Sequence, residues 1–321
     1  MDGINGLKAE LKKEYEMKDL GELKFFLGIQ VHRDRARKLI HIGQESYIRT
    51  ILERFEMQDS KPANVPLPSS IKLTKATIHD TLTDQTEYQS LLGSQMYAML
   101  ATRPDLAQSI QQISQYSSKP TTAHQKAAKQ GLRYLNGTVE DGITYNGNLG
   151  LKSLKGWSDA NWGAGEDRKS VSGFVFTLAG GAVSWSSKKQ ASVAVSSTES
   201  EYMALLHALK EQIWIHRLLK ELSIDIGDQN IIYSDSQSAI ALANNREHHA
   251  RMKHIDIQYH FVRNCVENGT TRLEYCPTEE MVADGLTKSL GPERHNKLAK
   301  LMGIGKWKSE NLTTSSERAP E

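Results

Sequence analysis

Four acidic residues stand where side-chain carboxylates could share a cation. Asp159 ends the apolar run in LKGWSDANW, and Glu201 lies near the start of SSTESEYMALLHALKE. Asp235 follows the strand-like run in IIYSDSQSAIALANN, and Asp284 opens the last helical run in PTEEMVADGLTK. Carboxylates gathered in one cleft raise one another's pKa and cannot all ionise without a counter-cation. Mg2+ answers that need, because it is a hard ion that takes oxygen ligands and keeps several waters. Two such ions about 3.5–4 Å apart can activate a water on one side of a phosphodiester and stabilise the leaving oxygen on the other. The acids must then come from separate rigid elements, since strand ends and helix starts hold ligands more precisely than loops do.

Each acid has rivals and an ordinary explanation. An Asp at a strand end commonly forms a turn or carries a solvated charge. Glu199 competes with Glu201, and register separates them. Helical spacing places Glu201 above Ala204, Leu205 and Ala208 at the rim of a buried stripe, whereas Glu199 precedes that stripe and suits capping or solvent. Ser197 or Thr198 is the expected N-cap, with Glu201 acceptable as its reciprocal partner. Asp167 rivals Asp159 but sits in GAGEDRK, a Gly- and charge-rich loop. Asp256, His254 and His260 form a separate polar cluster, of which His254 is kept as a candidate functional residue.

The elements that must position these acids are legible as periodicities. Residues 4 to 17 alternate apolar and charged positions at helical spacing. Phe25 to Val31 and Leu39 to Ile42 read as the two strands of a β-hairpin, and Glu45 to Phe55 as an amphipathic helix. SKPANVPLPSS is a linker, followed by helical stretches over roughly 84 to 101, 103 to 117 and 121 to 136. Pro104 suits a first helical position, and Asn136-Gly137 closes the third stretch. From residue 151 the order becomes βββαβααβα, and the stretch from Gly305 onward reads as a polar tail.

Composition sets outer bounds. The chain has 321 residues, 38% hydrophobic and 24% charged, with a net charge of +2, which suits about two globular domains and permits a polyanionic partner. Its two cysteines, Cys265 and Cys276, fit neither a zinc pair nor a disulfide framework. No window approaches a membrane-spanning length, and the charged N-terminus has no apolar core of the secretory kind. The expected location is cytoplasmic or nuclear, with no membrane.

The runs WSDANWGAGEDRKSVSGFVFTLAGGAVSWSSKKQASVAVSSTESEYMAL, IYSDSQSAIALANN, KHIDIQYHFVR and LEYCPTEEMVADGLTK resemble the ribonuclease H domain of copia-type retrotransposon Pol polyproteins. EYEMKDLGELKFFLGIQVHRDR, YIRTILERFEM, YQSLLGSQMYAMLATRPDLA and LRYLNGT resemble the end of the reverse transcriptase in the same polyproteins. The resemblance implies an α/β fold: a ribonuclease H-like domain with a mixed five-stranded sheet and flanking helices over 151–290. A reverse-transcriptase remnant would precede it over 1–150, with a primer-grip-like hairpin and thumb or connection helices, and a partly disordered extension would follow over 291–321. The family's active-site acids carry over onto Asp159, Glu201, Asp235 and Asp284, as both catalytic residues and ligands of two Mg2+ ions, with Mn2+ as a substitute. Glu201 is chosen because EYMALLHAL mirrors the family's Glu followed three residues later by Ala.

The implied reaction is cleavage of the RNA strand of an RNA/DNA hybrid, and other Pol segments are implied partners. Lys188 and Lys189 in WSSKKQ are candidates for phosphate contacts, together with His254, although WSSKKQ reads equally well as a solvated basic turn. Two features depart from the family. The chain has no adjacent Asp-Asp pair of the polymerase kind, so polymerase activity is expected to be absent. The loop Pro277 to Glu280 has no histidine, which leaves proton delivery to the leaving group unassigned. The competing reading is a catalytically idle nucleic-acid-binding remnant. A transposase-type nuclease ranks below both, because there the final acid is a late Glu and here it is Asp284.

Overall fold

The computed structural model describes residues 2–150, 154–224, 227, 230–244 and 256–307. Helix α1 (Asp2–Glu14) leads to strands β1 (Phe25–Phe26), β2 (Ile29–Asp34) and β3 (Leu39–Gly43). The continuous strand expected over Phe25 to Val31 is broken. Leu27 and Gly28 take positive φ angles of 48° and 73°, and turn β1 back antiparallel onto β2. Glycine makes that turn without a steric penalty. Strands β2 and β3 pair as the expected hairpin.

Four helical segments follow: α2 (Glu45–Arg54), α3 (Gln85–Ala101), α4 (Ala107–Ser114) and α5 (Thr122–Gly137). Pro104 opens a short 3-10 turn ahead of α4, as its fixed φ and missing N–H allow. Tyr88, Leu91, Leu106, Ile110 and Leu132 are among the residues that form the core of this helical layer. Strand β4 (Asp141–Asn146) then pairs with β3.

The second sheet consists of β5 (Lys155–Asn161), β6 (Val171–Leu178), β7 (Gly181–Lys189), β8 (Ile231–Ser234) and β9 (Arg272–Tyr275). Its helices are α6 (Ser197–Glu221), α7 (Gln237–Asn244), α8 (Asp256–Glu267) and α9 (Asp284–Thr287). The strand order is β7-β6-β5-β8-β9. Pairs on the β7 side are antiparallel and those on the β9 side parallel. This is the mixed five-stranded, ribonuclease H-like arrangement that the resemblance implied. Helix α6 packs Tyr202, Leu205 and Leu209 against Phe174, Phe176 and Ile232. Cys265 and Cys276 are buried free thiols.

The chain then returns to the first half. Helix α10 (Pro292–Leu301) precedes β10 (Ile304–Lys306), and β10 pairs antiparallel with β4. The hairpin expected in the first half is therefore part of a five-stranded sheet of order β1-β2-β3-β4-β10. Gly305 and Lys306, expected in a polar tail, lie in that sheet, and Trp307 stacks on His32 with ring centroids 5.9 Å apart. A three-residue strand has no hydropathy period, so only its distant partner reveals it.

The two halves share one apolar core. Ala107 and Ile143 pack with Val175, Ala182, Leu286, Met302 and Ile304. Tyr145 donates its hydroxyl to the Ala182 carbonyl at 2.7 Å, and the Asn146 N–H donates to Ala179. A buried ion pair of Arg103 and Asp105, 2.7 Å apart, adds a polar tie. Tyr134 donates to Asp105, and His295 on α10 reaches the Tyr134 hydroxyl at 3.1 Å.

Candidate metal centre

Strand β5 delivers Asp159 to the middle of the sheet, fully buried and opposite Gly173 of β6. The glycine matters here. A Cβ on Gly173 would lie 2.7 Å from Thr287 Cγ2 and 2.9 Å from Leu286 Cβ. Its absence lets α9 settle onto the sheet, and the Thr287 hydroxyl donates to Asp159 Oδ2.

Helix α6 delivers Glu201. Its N-cap is Ser196 rather than Ser197 or Thr198. The Ser196 hydroxyl accepts from the Glu199 N–H at 3.1 Å, and Glu199 Oε2 accepts from the Val195 N–H at 2.7 Å. Glu199 is thus the capping acid, which leaves Glu201 two residues further on to face the sheet. Glu201 accepts from the Ala160 backbone N–H, and its Oε2 is buried without a hydrogen-bond partner. Asp235 directly follows β8 and accepts from the Thr278 hydroxyl at 2.9 Å.

Asp159, Glu201 and Asp235 each offer an oxygen, and these atoms all lie within 4.8 Å of one another. Asp284 stands beside this trio rather than in it. Lys288, one turn further on, lies 2.6 Å from Asp284 Oδ1 and 3.3 Å from Asp159 Oδ1. Arg294 from α10 pairs with Asp284 Oδ2. The structure therefore brings three of the four expected acids into mutual ligand range. The fourth is joined to them through a shared lysine.

Burial is the largest influence on Asp159 and Glu201. It pushes Asp159 up to about 6, with Lys288 opposing and Asp284 and Asp235 adding to the rise. Burial, then the charges of Asp159 and Asp235, push Glu201 up to about 9. Oxygen-only donors, an orphaned buried carboxylate oxygen and two carboxyls whose ionisation burial opposes together suit a hard divalent cation. These residues fit Mg2+ or Mn2+, and Asp159, Glu201 and Asp235 would hold it.

A pH dependence follows. Asp159 and Glu201 keep protons in the folded chain at pH values where the unfolded chain has released them. Their contribution to metal-free stability is therefore greatest below the ordinary carboxylate pKa, and is lost as pH rises through about 6 and about 9. The melting temperature without metal should be lower at about pH 8.5 than at about pH 5.5, and Mg2+ should raise it more at the higher pH. Glu201→Gln should flatten the upper part of that slope. A metal-free slope of opposite sign in scanning calorimetry would refute the assignment.

The other sequence candidates fare differently. Lys188 is exposed at the end of β7. Lys189 pairs with Asp167 at 2.9 Å and donates to Gln115 Oε1 at 2.7 Å across the two halves. His254 lies outside the described residues. Trp157 stacks on Tyr233 and Trp185 donates to the Met99 carbonyl, so both act as packing residues. Thr287, Lys288 and Arg294 were not singled out from sequence. Only Lys288 had a local signal, its i,i+4 spacing from Asp284.

Residues 1–69 match the family model described as reverse transcriptase (RNA-dependent DNA polymerase). The chain is 40% identical over 307 residues to the retrovirus-related Pol polyprotein from transposon TNT 1-94 of Nicotiana tabacum, covering 94% of this chain and 23% of that one. It is 39% identical over 295 residues to the corresponding polyprotein from transposon RE1 of Arabidopsis thaliana, covering 92% of this chain and 20% of that one. The chain belongs to the copia-type Pol polyproteins. This Pol chain spans about a fifth of the length of these two polyproteins. Among solved structures, LC11-RNase H1 from compost overlays 46% of the Pol chain and 98% of its own, at 16% identity and a TM-score of 0.33. The fold assignment rests on the strand order and not on that overlay. No helix among the described residues of the Pol chain is long and apolar enough to cross a membrane.

Proposed function

We propose that this Pol chain is a metal-dependent ribonuclease H that hydrolyses the RNA strand of RNA/DNA hybrids. The observation that carries the reading is the trio of Asp159, Glu201 and Asp235, with oxygens within 4.8 Å of one another on a ribonuclease H-like sheet. The match of residues 1–69 to a model described as an RNA-dependent DNA polymerase supports the reading, because copying RNA into DNA yields such a hybrid. Bound Mg2+ would supply Lewis-acid activation of water and charge neutralisation at the phosphodiester.

The chain's own residues do the rest. Thr287 and Lys288 hold the Asp159 carboxylate from two sides. Thr278 orients Asp235, and the Ala160 N–H orients Glu201. Asp284 is the fourth acid of the proposed set, and Arg294 and Lys288 keep it beside the other three. Nucleotide addition is not part of the proposal, since no two aspartates are adjacent in the sequence.

The test is incubation of a hybrid, labelled on each strand in turn, with the purified chain in Mg2+, in Mn2+ and in chelator. RNA-strand cleavage in either metal and none in chelator is the expected result. A chain that binds the hybrid and leaves it intact in both metals would instead be an idle binding remnant.

A further inference from the structure

Helix α4 and the residue that caps it carry Gln108, Gln111, Gln112 and Gln115 at i, i+3, i+4 and i+7, which is one helical face. The opposite side of α4 supplies Ile110 and Ile113 to the helical core. The amide face instead walls a cavity of about 470 Å³ between the two halves of the molecule. Asn161 and Thr287 line the other wall. Because Thr287 donates to Asp159, the cavity ends one side chain away from the acid trio.

The chemistry of this wall is neutral. Lys75 and Lys189 are offset by Glu166 and Asp167 in the same lining. Lys189 is already paired with Asp167 at 2.9 Å. A phosphate entering here would meet two carboxylates and no unshared field of positive charge. The amides are only partly used. Gln108 donates to Gln112 at 2.9 Å, and the Ser289 hydroxyl donates to Gln108 at 3.3 Å. The Gln111 carboxamide and the Gln112 amide nitrogen have no protein partner among the described residues. A carboxamide offers a donor and an acceptor together, which suits a ligand hydroxyl that does the same.

We infer that this cavity takes the ribose edge of the RNA strand, with 2′-hydroxyls exchanging hydrogen bonds with Gln111 and Gln112. The 2′-hydroxyl is the group that lets a protein tell RNA from DNA. A helix of the reverse-transcriptase half thus contributes strand discrimination to the nuclease half. This rests on the hybrid-cleavage reading, and the experiment separates the two.

Affinities of the full chain for an RNA/DNA hybrid and for a DNA duplex of the same sequence are measured in Ca2+. The wild type is compared with Gln111→Ala and with Gln111→Ala/Gln112→Ala. The wild type should prefer the hybrid. The double variant should lose about tenfold in hybrid affinity and keep its affinity for the DNA duplex. Gln111→Ala should show a smaller loss confined to the hybrid. Because that side chain bonds to nothing among the described residues, a folding defect would not explain its effect. Unchanged hybrid affinity in both variants, equal losses on hybrid and DNA, or a wild type without hybrid preference would each overturn the inference. Cleavage by the wild type in Mg2+ is read separately. Hybrid preference without cleavage would sink the nuclease reading and leave the amide result to stand by itself.

Discussion

Protein carrying Asp235→Asn should lose about a thousandfold or more of its Mg2+-dependent hybrid cleavage while melting no lower than the wild type. The loss reflects a metal ligand whose removal withdraws several kcal/mol of transition-state stabilisation, and about 4 kcal/mol is a factor of roughly a thousand. The stability expectation comes from the trio's mutual repulsion. Asp235 is one of the charges that raise both Asp159 and Glu201, so neutralising it relieves a strain rather than breaking a support. The Thr278 hydroxyl that donates to it can bond the asparagine carbonyl equally well. Glu201→Gln should match this loss of activity. Glu199→Gln should not, because Glu199 is spent on the cap of α6. Near-wild-type cleavage by Asp235→Asn, or equal losses from the two glutamate variants, would remove the trio from the chemistry.

A chain beginning at residue 151 should fail to melt cooperatively, and should cleave hybrid far below the rate of the full chain. From sequence such a chain is expected to keep Mg2+-dependent cleavage and to bind the hybrid more weakly, since the acids and the βββαβααβα order all lie beyond that point. The structure gives the reason for the change. Val175, Ala182 and Leu286 are fully buried in a core that includes Ala107 and Ile143, and β10 pairs with β4 of the lost half. Exposing buried aliphatic side chains costs about 1.5–3 kcal/mol each, against a total stability of about 5–15 kcal/mol for an ordinary domain. The site would suffer as well. Arg294 sits on α10, whose neighbour His295 is held by Tyr134 of the lost half. Ser289, two residues beyond Thr287, would lose Gln108 and Gln112. A cooperative melt and full-length cleavage rate from the shortened chain would show that the shared core is dispensable.

The sequence by itself determined the acids and the elements that carry them. Asp159 at a strand end, Asp235 after a strand and Asp284 at a helix start are local facts, readable from runs of a few residues. The register that separates Glu201 from Glu199 is local too, because it depends on a stripe within one helix. The same holds for the βββαβααβα order and for the motifs that mark the chain as copia-type. Other features depend on partners far away in the chain. Thr287 reaches Asp159 across 128 positions, and it can do so only because Gly173, on a different strand, leaves room. Arg294 reaches Asp284 from a helix whose position is set by Tyr134. Lys189 looked like a free cation in WSSKKQ until Asp167 and Gln115 came to it from two directions. Strand β10 and the amide-lined cavity exist only where the two halves meet. Periodicity records which face of an element is buried, but it does not record which other element buries it, and that is what the tertiary structure decided.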